Sequence, residues 1–223
     1  MKTFFDHVRR FFGPLSQHQV DGFMVILNAT LSLPMRHRAY ILATVFHETA
    51  KTMQPIAEYG KGKGKPYGKP AGPHGKAYYG RGYVQLTWLA NYQKAALATG
   101  RDLVANPDLA MEPDIASVIL VRGMTEGWFT GKKLSDFTSY TAMRAIVNGT
   151  DKAALIAGHA EVFEDALIAQ AMADAEAAKT AADDVATDPA KTPSATLAKG
   201  VGAIVVAAVM ALLAWVMGVF GGN

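Results

Sequence analysis

The strongest constraint in this chain is the run Ala39-Tyr40-Ile41-Leu42-Ala43-Thr44-Val45-Phe46, which leads directly into His47-Glu48-Thr49. Pro34 opens it, and no turn residue interrupts it. A helix apolar on most of its sides must be surrounded, so this one belongs at the centre of a helical domain. Glu48 then ends the apolar stretch close to the helix C-terminus. Apolar neighbours and the negative end of the helix dipole both disfavour a charged carboxylate there, which suits a general acid.

The surrounding segments supply the packing partners. Phe4, Phe5, Val8, Phe11 and Phe12 read as the inward face of a short N-terminal helix, and Gln17 to Ala29 as a second helix with Ser16 as its N-cap. A helix from about Trp88 to Ala98 is stopped by Gly100. Another starts at Pro113 and runs to Trp128. Thr141 to Val147 is helical up to Asn148-Gly149, and Asp151 caps a last helix through Ile168. The pattern predicts a mainly α, lysozyme-like domain rather than an alternating βαβ one.

Two stretches break it. Residues 60–77, rich in Gly, Pro and Lys, have no periodicity and read as a long functional loop. Tyr78 to Trp88 reads as a short extended or turning segment.

Three segments follow from composition. Residues 1–170 form the candidate domain, 171–199 an Ala/Asp/Thr/Pro linker whose first part can prolong the preceding helix, and 200–223 an uncharged apolar run long enough for a transmembrane helix. The domain carries 19 Lys and Arg against 14 Asp and Glu. A basic surface draws polyanions, bacterial cell wall among them. The absence of cysteine excludes disulfides and Cys-ligated metal, and favours synthesis in a reducing compartment. The first ten residues, broken by Asp6 and Arg9-Arg10, do not read as a signal peptide.

The chemistry concentrates on two carboxylates. Glu58 lies ten residues after Glu48, and on one continuous helix the two would stand about 15 Å apart along the axis. Pro55 and Gly60 argue that the helix has ended, so the chain can fold back and face Glu58 towards Glu48. A separation of roughly 6.5–9.5 Å would leave room for the attacking water of an inverting glycosidase. Beside the Lys-rich loop, Glu58 stays ionised, as a base must. A zinc-protease reading of His47-Glu48 fails because Lys51 stands where the second histidine is required. His74 reads as a solvated loop residue, and no phosphate-binding loop is present.

Phe46-His47-Glu48-Thr49-Ala50, Glu58-Tyr59-Gly60, the run Tyr78-Tyr79-Gly80-Arg81-Gly82-Tyr83-Val84-Gln85-Leu86-Thr87-Trp88, and Asn91-Tyr92 together resemble glycoside hydrolase family 19, across roughly residues 35–150. That family includes plant chitinases and phage endolysins. The resemblance implies an inverting single displacement, with Glu48 as general acid, Glu58 as general base and Thr87 holding the attacking water. It puts His47, Tyr59 and Tyr79 in the sugar-binding cleft, together with Arg81, Gln85, Asn91 and Asn148. It implies no metal or other cofactor.

Four of these cleft residues have a second reading. Gln85 can satisfy backbone groups in its turn, Asn148 can be a helix C-cap, and Arg81 can pair with a carboxylate. Tyr79 can pack in the core.

The Lys-rich loop looks more like phage and bacterial members than plant ones. The expectation is therefore a muramidase-type endolysin that cuts β-1,4 bonds of bacterial peptidoglycan in the periplasmic wall. Residues 200–223 would associate it with the bacterial inner membrane, as an anchor or as a membrane-disturbing segment. A holin would assist release, and nucleic acid is not an expected partner. A chitinase is the alternative within the enzyme class. A non-catalytic, membrane-tethered wall-binding protein is the alternative outside it.

Overall fold

The computed structural model of the chain describes residues 1–187. The linker beyond that point and the apolar run 200–223 lie outside the described residues. The chain divides into two compact units, Met1–Ile168 and a second beginning at Ala169. Seven helices and two small antiparallel strand pairs make up the described residues.

Helices α1 (Lys2–Phe12), α2 (Gln17–Ala29) and α3 (Met35–Glu48) come first. Ser16 caps α2 as expected: its Oγ accepts from Gln19 N at 3.3 Å, and Gln19 Oε1 accepts from Ser16 N at 2.8 Å. This reciprocal box satisfies two of the backbone donors that every helix start leaves open. In α3 every residue from Ala39 to Phe46 is buried. Full burial of each large apolar side chain there contributes about 1.5–3 kcal/mol, which fixes α3 as the spine that carries Glu48.

Along α1, Phe4, Phe5 and Val8 are buried and Phe12 packs on Phe46, ring centroids 4.7 Å apart. Phe11 departs from the inward stripe: it is 57 % exposed and stacks on His7. The buried arc is centred between Phe5 and Val8, and Phe11 falls past its edge.

Helices α4 (Leu89–Thr99) and α5 (Pro113–Glu126) follow the loop region. Each ends at a left-handed glycine, Gly100 (φ 67°) and Gly127 (φ 77°), a conformation that costs glycine little. Helix α5 separates two apolar clusters. Ala116, Leu120 and Met124 face the core built around α3, whereas Ile115 and Ile119 face a smaller one with Tyr78, Leu86, Tyr92 and Trp128.

The expected helix at 141–147 is a short α6 (Tyr140–Met143) followed by a 3-10 turn, Arg144–Ile146. Helix α7 (Ala153–Thr187) begins two residues after Asp151. Asp151 is therefore not its cap. The position before α7 belongs to Lys152, held left-handed at φ 56°.

The loop at 60–77 is more ordered than its composition suggests. Its strands β2 (Pro70–Ala71) and β3 (Lys76–Ala77) pair with each other, while β1 (Ile56–Ala57) pairs with β4 (Arg81–Gly82) in the register Ile56↔Gly82 and Ala57↔Arg81. The second pairing closes the Lys-rich loop at its base and sets Glu58 beside Gly80. Among the described residues no helix is long and apolar enough to cross a membrane.

Candidate active site

Glu48 is the last residue of α3, and its side chain keeps 19 % exposure. Its Oε1 accepts from Arg144 Nη1 at 2.6 Å, and that arginine is 2 % exposed. Arg144 Nε donates in turn to the Asp151 carbonyl at 2.8 Å. The expectation of a purely apolar surrounding for Glu48 is thus corrected, because a guanidinium grips one of its oxygens. No other protein group among the described residues hydrogen-bonds the carboxylate. Tyr40 lies close by, its hydroxyl pushed up to about 12 by burial.

The chain leaves Glu48 through strained backbone. Thr49 ends the helix, and Ala50, Lys51 and Met53 all take positive φ, at 50°, 69° and 57°. Non-glycine residues there cost of order 1–3 kcal/mol each. The Thr49 side chain spans the turn, donating to the Val45 carbonyl at 2.7 Å and accepting from Met53 N at 3.0 Å.

Glu58 belongs to a second cluster. Its backbone N–H donates to the Gly80 carbonyl at 2.9 Å, and its Oε2 accepts from the Tyr67 hydroxyl at 3.3 Å. Burial first, then the Glu58 charge, raises the Tyr67 hydroxyl above its ordinary range. Gln85 Nε2 donates to the Ile56 carbonyl at 3.0 Å. A Cβ on Gly80 would lie 2.8 Å from Gln85 Oε1 and 3.0 Å from Glu58 Oε2, so glycine here lets both side chains close over the backbone. Gln85 is itself left-handed at φ 54°. Its amide therefore anchors the turn to β1, as the backbone-satisfying reading of this residue anticipated.

Thr87 and Asn91 sit at the entrance to α4, where Asn91 Nδ2 donates to the Thr87 carbonyl at 3.0 Å. Trp88 between them is half exposed and meets the Tyr67 ring edge-on at 5.5 Å.

Arg81 is 5 % exposed and held by protein acceptors through Nε and Nη1: Asp108 Oδ1 at 2.7 Å, the Ala77 and Tyr79 carbonyls, and the Tyr92 hydroxyl. Its guanidinium stacks 3.5 Å from the Tyr79 ring centroid. It fastens the loop rather than facing solvent.

Tyr59 is 96 % exposed, and Asn148 is exposed with its backbone N–H bonded to the Arg144 carbonyl. His47 lines a recess with Lys51 and His159. The residues that sequence reasoning missed are Arg144, Tyr67 and Trp88. A lone arginine in the apolar turn before Asn148-Gly149 was the signal for the first.

The described residues thus form a mainly helical domain that carries Glu48 and Glu58 on separate partners, Arg144 and Tyr67. Comparison with known proteins sharpens this. The family 19 glycoside hydrolase profile, described as chitinase class I, matches residues 63–136. Chitinase 3 of Oryza sativa subsp. japonica is 47 % identical over 55 residues, 25 % of this chain and 16 % of that protein. The Inactive chitinase-like protein 1 of Hevea brasiliensis is 48 % identical over 48 residues, 22 % of this chain and 15 % of that protein. The chain thus matches about a sixth of the length of these relatives. The family GH19 class IV chitinase of Zea mays shares the fold, with a TM-score of 0.51 at 23 % identity, covering 75 % of this chain and 92 % of that one. Over residues 63–136 the chain is therefore similar to glycoside hydrolase family 19.

Proposed function

We propose that this protein hydrolyses β-1,4 bonds of bacterial peptidoglycan by an inverting single displacement, as an endolysin with a muramidase-type cut. The observation that carries the reading is the one-sided grip on Glu48. Arg144 occupies Oε1, which leaves Oε2 as the oxygen available to a substrate. Glu48 protonates the glycosidic oxygen as the C–O bond breaks, and Arg144 stabilises the carboxylate left behind. Water attacks the anomeric carbon from the opposite face, and Glu58 takes its proton. Solvent then returns a proton to Glu48. Two carboxylates with no common hydrogen-bond partner suit an acid and a base rather than a dyad sharing one proton. The Thr87 hydroxyl fixes the water, and Tyr67 orients Glu58.

The uncharged run 200–223 would hold the enzyme at the inner membrane, with a holin assisting release to the wall. Cell fractionation of the full chain tests this, and a full-length protein that stays soluble would end it.

Chitin is the second reading, favoured by the chitinase-class profile over residues 63–136. The deciding experiment is clearing of purified bacterial walls by the full chain and by Glu48→Gln, with mass spectrometry of the new reducing ends. Clearing that vanishes in the variant, with N-acetylmuramic acid ends, supports the muramidase. Cleavage of chitin oligomers alone supports the chitinase.

A further inference from the structure

Three basic side chains outside the glutamate clusters converge beside the strained turn. His47, Lys51 and His159, with Phe46, Ala50 and Leu155, line an open recess of about 330 Å³ between the end of α3 and the first turns of α7. None of the six is acidic. Elsewhere a comparable recess at Lys94, Arg122 and Trp128 contains its own counter-ion, because Arg122 pairs with Glu126 at 2.6 Å. Here no such partner is present among the lining residues.

The recess is built rather than incidental. Lys51 is held left-handed, its N–H donating to the Phe46 carbonyl at 2.7 Å and its carbonyl accepting from Gln19 Nε2 at 3.0 Å. Its ammonium lies 5.8 Å from the Phe46 ring centroid. The His159 ring stands edge-on to Phe46 and Phe12, each at 5.3 Å, and its Nδ1 is buried with no hydrogen-bond partner. The buried, unpaired Nδ1 of His159 leaves one polar atom of the recess wall unsatisfied, whereas the Lys51 ammonium is exposed and free to meet a ligand. Burial, then Lys51 and His47, keeps His159 below its ordinary range.

The geometry points to a site for an alkyl carboxylate on the substrate, the free carboxylate of a peptide substituent on the amino-sugar chain. The Lys51 ammonium, flanked by His47 and His159, takes the carboxylate. Phe46, Ala50 and Leu155 take its alkyl part, which a bare phosphate would leave unused. The inference rests on the wall-cleavage reading and deepens it, since chitin carries no such carboxylate.

The test is calorimetric titration of the full chain with N-acetylmuramoyl dipeptide bearing a free carboxylate, with its amidated counterpart, and with chitotetraose. The acid should bind at least tenfold more tightly than the amide. Lys51→Gln and His159→Phe should each remove that preference and leave chitotetraose affinity unchanged. Equal affinity for acid and amide would overturn the assignment, as would a preference that survives in Lys51→Gln. A protein that prefers the acid but clears no wall would overturn the cleavage reading and support this site. One that clears walls without preferring the acid would overturn this site alone.

Discussion

Arg144 Nη1 and Glu48 Oε1 meet at 2.6 Å across 96 residues of chain, with the arginine almost wholly buried. A buried guanidinium with a single carboxylate partner fixes that carboxylate in space, and it would be left uncompensated if the carboxylate were removed. Arg144→Lys retains the charge but loses the fork that binds Glu48 and the Asp151 carbonyl together. We expect its kcat to fall about 100-fold with KM changed less than about threefold, since a misplaced catalytic group costs that much. Steady-state kinetics on a soluble oligomer would measure the split. A rise in KM alone would make Arg144 a substrate contact instead.

Gly80→Ala tests the second cluster. The added Cβ would press on Gln85 Oε1 at 2.8 Å and Glu58 Oε2 at 3.0 Å. Both are ends of side chains, so the fold can adjust while Glu58 is displaced. Activity should drop at least about tenfold and the melting temperature by only a few degrees, about what 1 kcal/mol produces in a domain of this size. Calorimetry alongside an activity assay separates the two. Unchanged activity would show that the position of Glu58 is not critical.

What the sequence revealed of this arrangement follows from the range of each interaction. Ser16 and Gly100 act within one helical turn, so the start of α2 and the end of α4 were legible in local residue types, whereas the helix read through to Trp128 stops at Glu126 because Gly127 turns left-handed. The all-buried face of α3 was legible because apolarity over eight successive residues allows no exposed side. The two strand pairs were not, since two-residue strands carry no alternation to detect. Glu48, Glu58 and the Tyr-Tyr-Gly-Arg-Gly run stood out as a motif, yet the grip of Arg144 on Glu48 depends on folding alone. Gln85 and Arg81 show the reverse case. Motif membership suggested sugar contacts, whereas their hydrogen bonds run to Ile56 and to Asp108 and Tyr92.

Arg81 accordingly yields a stability prediction. Its partner Asp108 is 74 % exposed and can be rehydrated, but the Ala77 and Tyr79 carbonyls and the Tyr92 hydroxyl depend on the buried fork. Arg81→Met should lower unfolding free energy by about 1–3 kcal/mol, the usual cost of leaving buried acceptors unsatisfied. Arg81→Lys should recover only part of it. Urea denaturation followed by circular dichroism would measure both. Loss of sugar affinity with stability intact would place Arg81 in the cleft after all.

Alkaline pH should unfold this protein through its buried tyrosines. Burial pushes Tyr83 up to about 12, with the Asp114 charge adding to the effect, and burial pushes Tyr40 to the same level. An unfolded tyrosine titrates near 10, so between about pH 10 and 12 the unfolded chain releases protons that the folded one retains. Stability is therefore fully present below pH 10 and is lost as pH rises, by about 2–3 kcal/mol for each such tyrosine. Tyr83 is the cleaner probe, because its hydroxyl is buried with no hydrogen-bond partner. Tyr83→Phe should leave stability at pH 7 unchanged or raise it by up to about 1 kcal/mol, since no bond is lost. Above pH 10 its urea midpoint should fall less steeply than that of the wild type. Midpoints collected from pH 7 to 12 would check both statements, and parallel curves for the two proteins would show that Tyr83 ionises as readily folded as unfolded.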